Sequence, residues 1–194
     1  MRHKTIVALG VTILCIIFIA LCIIAATPSY AYEGERVTTE RQDALHEAAE
    51  ILRSVGFGDD SEPVRALSAE WWREQEALDI VARVVQGEAG NCPWMHQVAV
   101  AAVVVNRVNS PYFPNTVREV VAAPGQYTTL YLSGFDKTSR QCYEAAKKAL
   151  DGDSGVPEDV IWQAEFPQGT EVWWRSEVDT GWWHSVTYFC RGVA

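Results

Sequence analysis

Two segments of this chain carry apolar side chains around most of a helical circumference, and a short glycine-bracketed turn separates them. Within Glu74–Gln86 the polar residues Asp79, Arg83 and Gln86 recur at i, i+4 and i+7 and leave one narrow stripe. Leu78, Ile80, Val81, Val84 and Val85 fill the remaining faces. A helix that is apolar nearly all round is stable only where other elements cover it. His96–Val108 then sets Val98, Ala101, Ala102, Val105 and Val108 at helical spacing, although Val103-Val104-Val105 is β-prone and periodicity alone leaves a strand open. Gly87 reads as the C-terminal stop of the first helix, and Pro93 suits an early position of the second. Such a pair requires a globular core. With 48% hydrophobic residues, wholesale disorder is excluded.

The flanking segments follow from local signals. Gln42–Arg53 suits a short amphipathic helix with Ala44, Leu45, Ala48, Ile51 and Leu52 on one side, and Gly56-Phe57-Gly58-Asp59-Asp60 is loop. Thr116-Val-Arg-Glu119 and Thr138-Ser-Arg-Gln141 both read as capping boxes, the second opening a helix through Leu150. Val160–Phe166 and Val186–Cys190 alternate as strands, with Glu171–Arg175 beside them. A helical core followed by a small antiparallel sheet is an α+β fold.

The 194 residues suffice for one domain and an export segment. Arg2, His3 and Lys4 precede an almost wholly apolar run from Thr5 to Ala26. Pro28 ends that run, and Ser29-Tyr30-Ala31 supplies small residues for cleavage after Ala31. Residues 1–31 are therefore expected to be a signal peptide, 32–66 a polar spacer with a short helix, and 67–194 the catalytic domain. The alternative for 1–31 is an uncleaved anchor, and the only membrane contact expected is through that segment. Either way the rest of the chain is extracytoplasmic. Beyond Ala31 there are 14 basic and 25 acidic residues, a net charge of −11, which argues against a nucleic-acid partner. Three cysteines remain, Cys92, Cys142 and Cys190. In an oxidising compartment they suggest one disulfide, with Cys142–Cys190 preferred.

Glu88 is the first candidate for chemistry. The glycines around it let a ligand approach the backbone closely. A carboxyl held against an apolar wall has its charged form disfavoured, which suits a general acid. The competing assignment is a solvated or helix-capping residue. Trp162, Trp173, Trp174, Trp182, Trp183, Tyr127, Tyr131 and Tyr188 crowd the last seventy residues. Flat faces with polar edges suit sugar rings as well as cores. Cys92 and His96 at i, i+4 resemble half a zinc site, but no second pair follows. No nucleophile signature surrounds the cysteines beside His184, and phosphate-loop, GxGxxG and GxSxG motifs are absent. No metal or cofactor is expected.

From Leu78 to Arg191 the chain resembles the bacterial cell wall hydrolases related to the spore cortex-lytic enzyme SleB. The resemblance is carried by Ala82-Arg-Val-Val-Gln-Gly-Glu-Ala89, Gln97–Val108 with its Asn106-Arg107, and Ser110-Pro111. It continues through Phe113-Pro-Asn-Thr-Val117, Pro124-Gly-Gln-Tyr-Thr128, Ala149-Leu-Asp-Gly152 and Tyr188-Phe-Cys-Arg191. It implies a lysozyme-like, lytic-transglycosylase-type fold with a small β element beside a saccharide groove. It also implies cleavage of peptidoglycan strands between N-acetylmuramic acid and N-acetylglucosamine, with the family's catalytic carboxyl on Glu88. Gln126, Tyr127, Thr128, Asn106, Trp162 and Gln163 are the candidate substrate-binding residues. The chain departs from that pattern at Asn91–His96 and in the longer, Trp-rich stretch Glu165–His184, which leaves the sugar specificity open. No wall-binding repeat precedes the domain.

The expected reaction is protonation of the glycosidic oxygen by Glu88 through an oxocarbenium-like centre. Glu119, Glu144 and Glu165 offer no convincing second carboxylate. A one-carboxyl route closing a 1,6-anhydro ring is therefore favoured over water attack. The expected enzyme is a monomer acting on peptidoglycan. The alternatives are a non-catalytic glycan-binding module with the same groove and a cysteine- or zinc-dependent wall peptidase.

Overall fold

The β-prone valines Val103-Val104-Val105 are helical, and their helix is the centre of the fold. In the computed structural model, which describes residues 39–128, 130–133, 137–181 and 184–192, the elements are α1 (Thr39–Ser54), α2 (Glu62–Ala89), α3 (Trp94–Asn109), α4 (Val117–Ala122), α5 (Leu130–Ser133), α6 (Arg140–Leu150), β1 (Val160–Ala164), β2 (Glu171–Asp179) and β3 (His184–Arg191). This is the expected α+β fold. Residues 1–31 and the pair Trp182 and Trp183 lie outside the described residues. No helix among the described residues is long and apolar enough to cross a membrane.

The described chain divides into two compact units, Glu40–Arg73 and Glu74 onward. The division falls inside α2, beyond the border expected at residue 67. In the first unit Leu45, Ala49 and Leu52 of α1 are buried with Val64, so the apolar side of Gln42–Arg53 forms as expected. The helical stretch that starts at Glu62 was not anticipated. Its signal is Ser61-Glu62-Pro63, because proline tolerates the first helical turn, where its missing N–H is no loss.

In the second unit α3 is buried from Val98 to Val104, at no more than 1% exposure. It packs against α4, α6 and β1. Full enclosure by these elements makes the local β preference of the valines irrelevant. Pro93 precedes the helix with no side-chain cap. The Thr116 hydroxyl accepts from the Glu119 N–H, as the first capping box requires, and donates to Glu119 Oε2 at 2.8 Å in place of the backbone bond of a full box. The second box is corrected by one residue. Ser139, not Thr138, caps α6, and its hydroxyl accepts from the Cys142 N–H.

The sheet is antiparallel in the order β1-β3-β2. The hairpin is β2–β3, and β1 adds to the other edge of β3. Both pairings are broken by a bulge, at Val160/Trp162 and at Val172/Trp174. Phe189 fastens the sheet to the helices. Its ring stacks on Trp174 at 5.3 Å and meets the edge of His96 at 5.2 Å. Trp173 and Trp174 are half-buried and pack against the core.

The three cysteines are free and buried, so the expected Cys142–Cys190 bridge is not formed. Cys142 sits in the first turn of α6, where its Sγ lies 3.1 Å from Ser139 Oγ and 3.4 Å from Gln86 Oε1. Cys190 sits in the sheet opposite Trp162 and Val172. Each thiol is committed to its own packing.

Candidate active site

Helix α2 runs through Gly87 and Glu88 to Ala89, so Glu88 occupies the last turn rather than a loop beyond it. Gly90 closes the turn, donating to the Gln86 carbonyl at 3.1 Å. Glu88 is exposed. The apolar enclosure expected around it is absent because Gly87 and Glu88 lie on the solvent side of a helix whose other faces are covered.

One buried group does reach this carboxyl. The Tyr131 hydroxyl donates to Glu88 Oε1 at 2.7 Å, while the Tyr131 residue is 5% exposed. Burial, reinforced by the hydrogen bond to Glu88, raises the phenol pKa well above its ordinary value, so Tyr131 stays a donor. The approach depends on Gly87. A Cβ there would fall 2.4 Å from Tyr131 Cε1 and 2.5 Å from its hydroxyl.

The polar stripe of α2 holds Tyr131 in place. Arg83 donates from Nη1 to the Tyr131 carbonyl at 3.0 Å and lies 3.6 Å from Asp79. Asp79 accepts from the Tyr143 hydroxyl at 2.9 Å. Gln86 Oε1 accepts from the Ser139 N–H at 2.8 Å. The three polar residues thus anchor α5 and the start of α6 to the helix that bears Glu88.

Gln97 secures the turn beyond Glu88. It is 1% exposed. Its Nε2 lies 3.1, 3.3 and 3.2 Å from the carbonyl oxygens of Ala89, Gly90 and Cys92. Carbonyls at a helix C-terminus lack intrahelical partners, and this amide supplies one. The sequence marks Tyr131 only as one of the aromatic set; its bond to Glu88, the role of Gln97 and the packing role of Gly87 depend on partners distant in the chain or on shape alone.

The other candidates separate. Tyr127 packs near Tyr131, with ring centres 6.5 Å apart. Burial raises its phenol pKa, with the Arg107 charge opposing and the Glu88 carboxyl adding to the rise, so its enclosed hydroxyl lies within the field of both. Gln126 donates its N–H to the Ala123 carbonyl at 3.2 Å, in a turn where Gly125 has φ +74°. The Thr128 carbonyl accepts from the Tyr131 N–H at 3.2 Å. These two residues set the backbone that delivers Tyr127 and Tyr131.

Asn106 is turned to the start of β1. Its Nδ2 donates to the carbonyls of Pro157 and Val160 at 2.8 and 2.9 Å, fixing β1 to α3. Arg107, 4% exposed, donates from Nε to the Ile161 carbonyl at 2.8 Å. Its guanidinium carbon stands 5.3–5.7 Å from the ring centres of Phe113, Tyr127 and Trp162, in cation–π range. Trp162 is therefore linked to Tyr127 through Arg107. Gln163 points its enclosed Oε1 at no hydrogen-bond partner.

Glu119 is engaged in its capping box, and Glu144 pairs with Arg140 at 2.8 Å. Glu165 is exposed just beyond β1. His184 pairs with Glu177 at 2.9 Å. His96 faces Ser176 Oγ at 2.9 Å in the core. No group of three or more His, Cys, Asp or Glu residues among those described is placed to hold a metal.

Comparison with known proteins agrees with the resemblance read from the motifs. The chain is 42% identical over 76 residues to a spore cortex-lytic enzyme of Bacillus cereus, covering 39% of this chain and 28% of that protein. It is 37% identical over 84 residues to the spore cortex-lytic enzyme of Halalkalibacterium halodurans, covering 41% and 25%. The matched stretches thus span about a quarter of the length of these curated relatives. Among solved structures it is similar to the catalytic domain of the Bacillus cereus SleB protein, at 28% identity and a TM-score of 0.46, over 60% of this chain and 91% of that one. The Cell Wall Hydrolase family model matches residues 91–189, just over half of the sequence, and the chain belongs to that family.

Proposed function

We propose that the protein cleaves the glycan strand of peptidoglycan between N-acetylmuramic acid and N-acetylglucosamine, with Glu88 as its general acid and base. The observation that carries this reading is the Tyr131–Glu88 hydrogen bond at the exposed end of a helix whose preceding turn, Ile80–Val85, is largely buried. Membership of the family and the spore cortex-lytic relatives support the substrate class. The family match begins after Glu88, so the assignment of that residue rests on its geometry and on the motif around it.

Tyr131 engages Oε1 and leaves Oε2 for the substrate. Glu88 donates a proton to the glycosidic oxygen as the bond to the muramic anomeric carbon breaks. An oxocarbenium-like centre forms, and the N-acetylglucosamine leaves with its hydroxyl restored. The same carboxyl then removes the proton of the muramic 6-hydroxyl, whose oxygen closes the 1,6-anhydro ring. The proton returns to Glu88 and no water is consumed. The engagement of Glu119 and Glu144 by their own helices supports this one-carboxyl route. The reading places the work outside the membrane, in keeping with residues 1–31 as an export segment and the rest of the chain acting in the wall as a monomer.

Mass spectrometry of purified peptidoglycan digested by the wild type and by Glu88→Gln tests it. Anhydro-muramic products from the wild type, absent with the variant, are expected. Reducing-end muramic products would replace the transglycosylase by a hydrolase. Full cleavage by Glu88→Gln would remove Glu88 from its role. No products from cortex or vegetative wall would favour a glycan-binding module.

A further inference from the structure

A pocket of about 690 Å³ lies between the loop after α3 and the end of β1, lined by Tyr112, Phe113, Ile161, Trp162, Gln168 and Gly169. Its size falls in the range of small-ligand sites. Three features give it chemical character. The lining holds aromatic and aliphatic surface and one primary amide, and no charged side chain. Trp162 is a braced platform: Phe113 meets its ring edge-on at 5.9 Å, and the Arg107 guanidinium lies 5.7 Å from its centre. The opposite wall is fixed. Thr170 donates from its N–H to the Arg191 carbonyl at 3.0 Å and from its hydroxyl to the Gly192 carbonyl at 3.1 Å. Gly169, at φ +71°, lets the loop close because a Cβ there would fall 2.0 Å from the Arg191 carbonyl oxygen and 2.8 Å from Trp162 Cδ1.

We infer that this pocket is a subsite for a neutral N-acetylated pyranose, so that it takes the N-acetylglucosamine of the strand rather than the carboxyl-bearing muramic acid. The inference rests on the glycan-cleaving reading above and adds which sugar sits where. An aromatic face accepts the C–H face of a pyranose. The Gln168 amide offers both a donor and an acceptor to an acetamido group. A carboxylate entering the same pocket would lose water with no cation in the lining to replace it. Trp162 reaches Tyr127 through Arg107, and Tyr127 lies in the field of Glu88.

The test is calorimetric titration of Glu88→Gln, which does not consume ligand, with triacetylchitotriose and with cellotriose, which lacks acetamido groups. Chitotriose is expected to bind more tightly than cellotriose. Adding Tyr112→Ala or Gln168→Ala to Glu88→Gln is expected to weaken chitotriose binding at least about fivefold each. Tyr112 is 61% exposed and Gln168 is half-buried in a loop between β1 and β2, so these variants are expected to retain the fold. Circular dichroism confirms that retention. Unchanged affinity in both variants, or equal binding of the two trisaccharides, overturns the subsite whatever Glu88 does. The two readings fail separately: Glu88→Gln that still cleaves peptidoglycan overturns the catalytic assignment, while the pocket is judged by the titrations alone.

Discussion

Gly87 and Tyr131 occupy one space: the phenol ring lies where any side chain at residue 87 would have to be. The absence of a Cβ is what allows Tyr131 to hold Glu88 Oε1. Gly87→Ala should therefore cost activity although alanine favours a helix by up to about 1 kcal/mol over glycine. Tyr131→Phe isolates the hydrogen bond, worth about 1–2 kcal/mol. It is expected to lower kcat on peptidoglycan about tenfold with KM little changed. Gly87→Ala should lower kcat at least as far, because the ring itself must move. Wild-type kcat in Tyr131→Phe would show that the bond does not orient the carboxyl.

Gln97 makes a different prediction. One buried amide serves three carbonyls in the turn after Glu88. Gln97→Leu removes that shared donor, although the Ala89 carbonyl keeps the Cys92 N–H at 2.9 Å, and should cost about 1–3 kcal/mol of stability. Urea unfolding should show the midpoint falling with the slope unchanged. Gln97→Glu, similar in shape but with no amide donor, should destabilise to a comparable extent. If Gln97→Glu were as stable as the wild type, the donor role would be wrong.

What was legible in the sequence was whatever depends on near neighbours. The apolar circumference of Leu78–Val85, the spacing of Val98–Val108 and the Thr116–Glu119 cap all involve contacts within a few residues or burial as such. The end of α2 was misjudged because Gly87 resembles a C-terminal stop. Its actual task is to admit a ring from Tyr131, and no local pattern carries that information. The glycines around Glu88 single it out in the sequence, while the apolar enclosure expected for it is absent from the fold. Asn106, near the end of a buried helix, reads from sequence as a candidate substrate contact. The deciding partners, Pro157 and Val160, lie in a segment that only the folded chain brings near. The tryptophans of β2 were ambiguous in the same way, since a flat ring serves a sugar or a Phe189 equally well.

His96 provides a pH prediction. It is 3% exposed, faces Ser176, and contacts Trp174 and Phe189 edge-on. Burial lowers its pKa to about 4, against about 6.5 in the unfolded chain. The unfolded state therefore binds more protons between these values, and stability falls as pH falls through that window. The contribution is present in full above about pH 6.5. By pH 4 about 2–3 kcal/mol should be lost. Urea unfolding at pH 7, 5.5 and 4.5 should show this slope, and His96→Asn, though less stable at pH 7, should flatten it. An equal slope in the variant would place the acid sensitivity elsewhere.

Asn106 separates a structural role from a binding one. It was a candidate substrate contact, yet its amide is occupied by the carbonyls of Pro157 and Val160, and beside it Arg107 holds the Ile161 carbonyl. Together they fasten β1, and with it Trp162, to the central helix. Asn106→Leu fills similar space but takes the side-chain donor from both carbonyls, leaving that of Pro157 with the Val160 N–H alone. It should cost about 2–4 kcal/mol in denaturant unfolding. Below the unfolding transition the variant should release the same peptidoglycan products as the wild type, with KM raised only as far as Trp162 is displaced. A change in product identity at full stability would return Asn106 to the substrate-binding set. Loss of stability with unchanged products would confirm that it acts through the sheet it anchors.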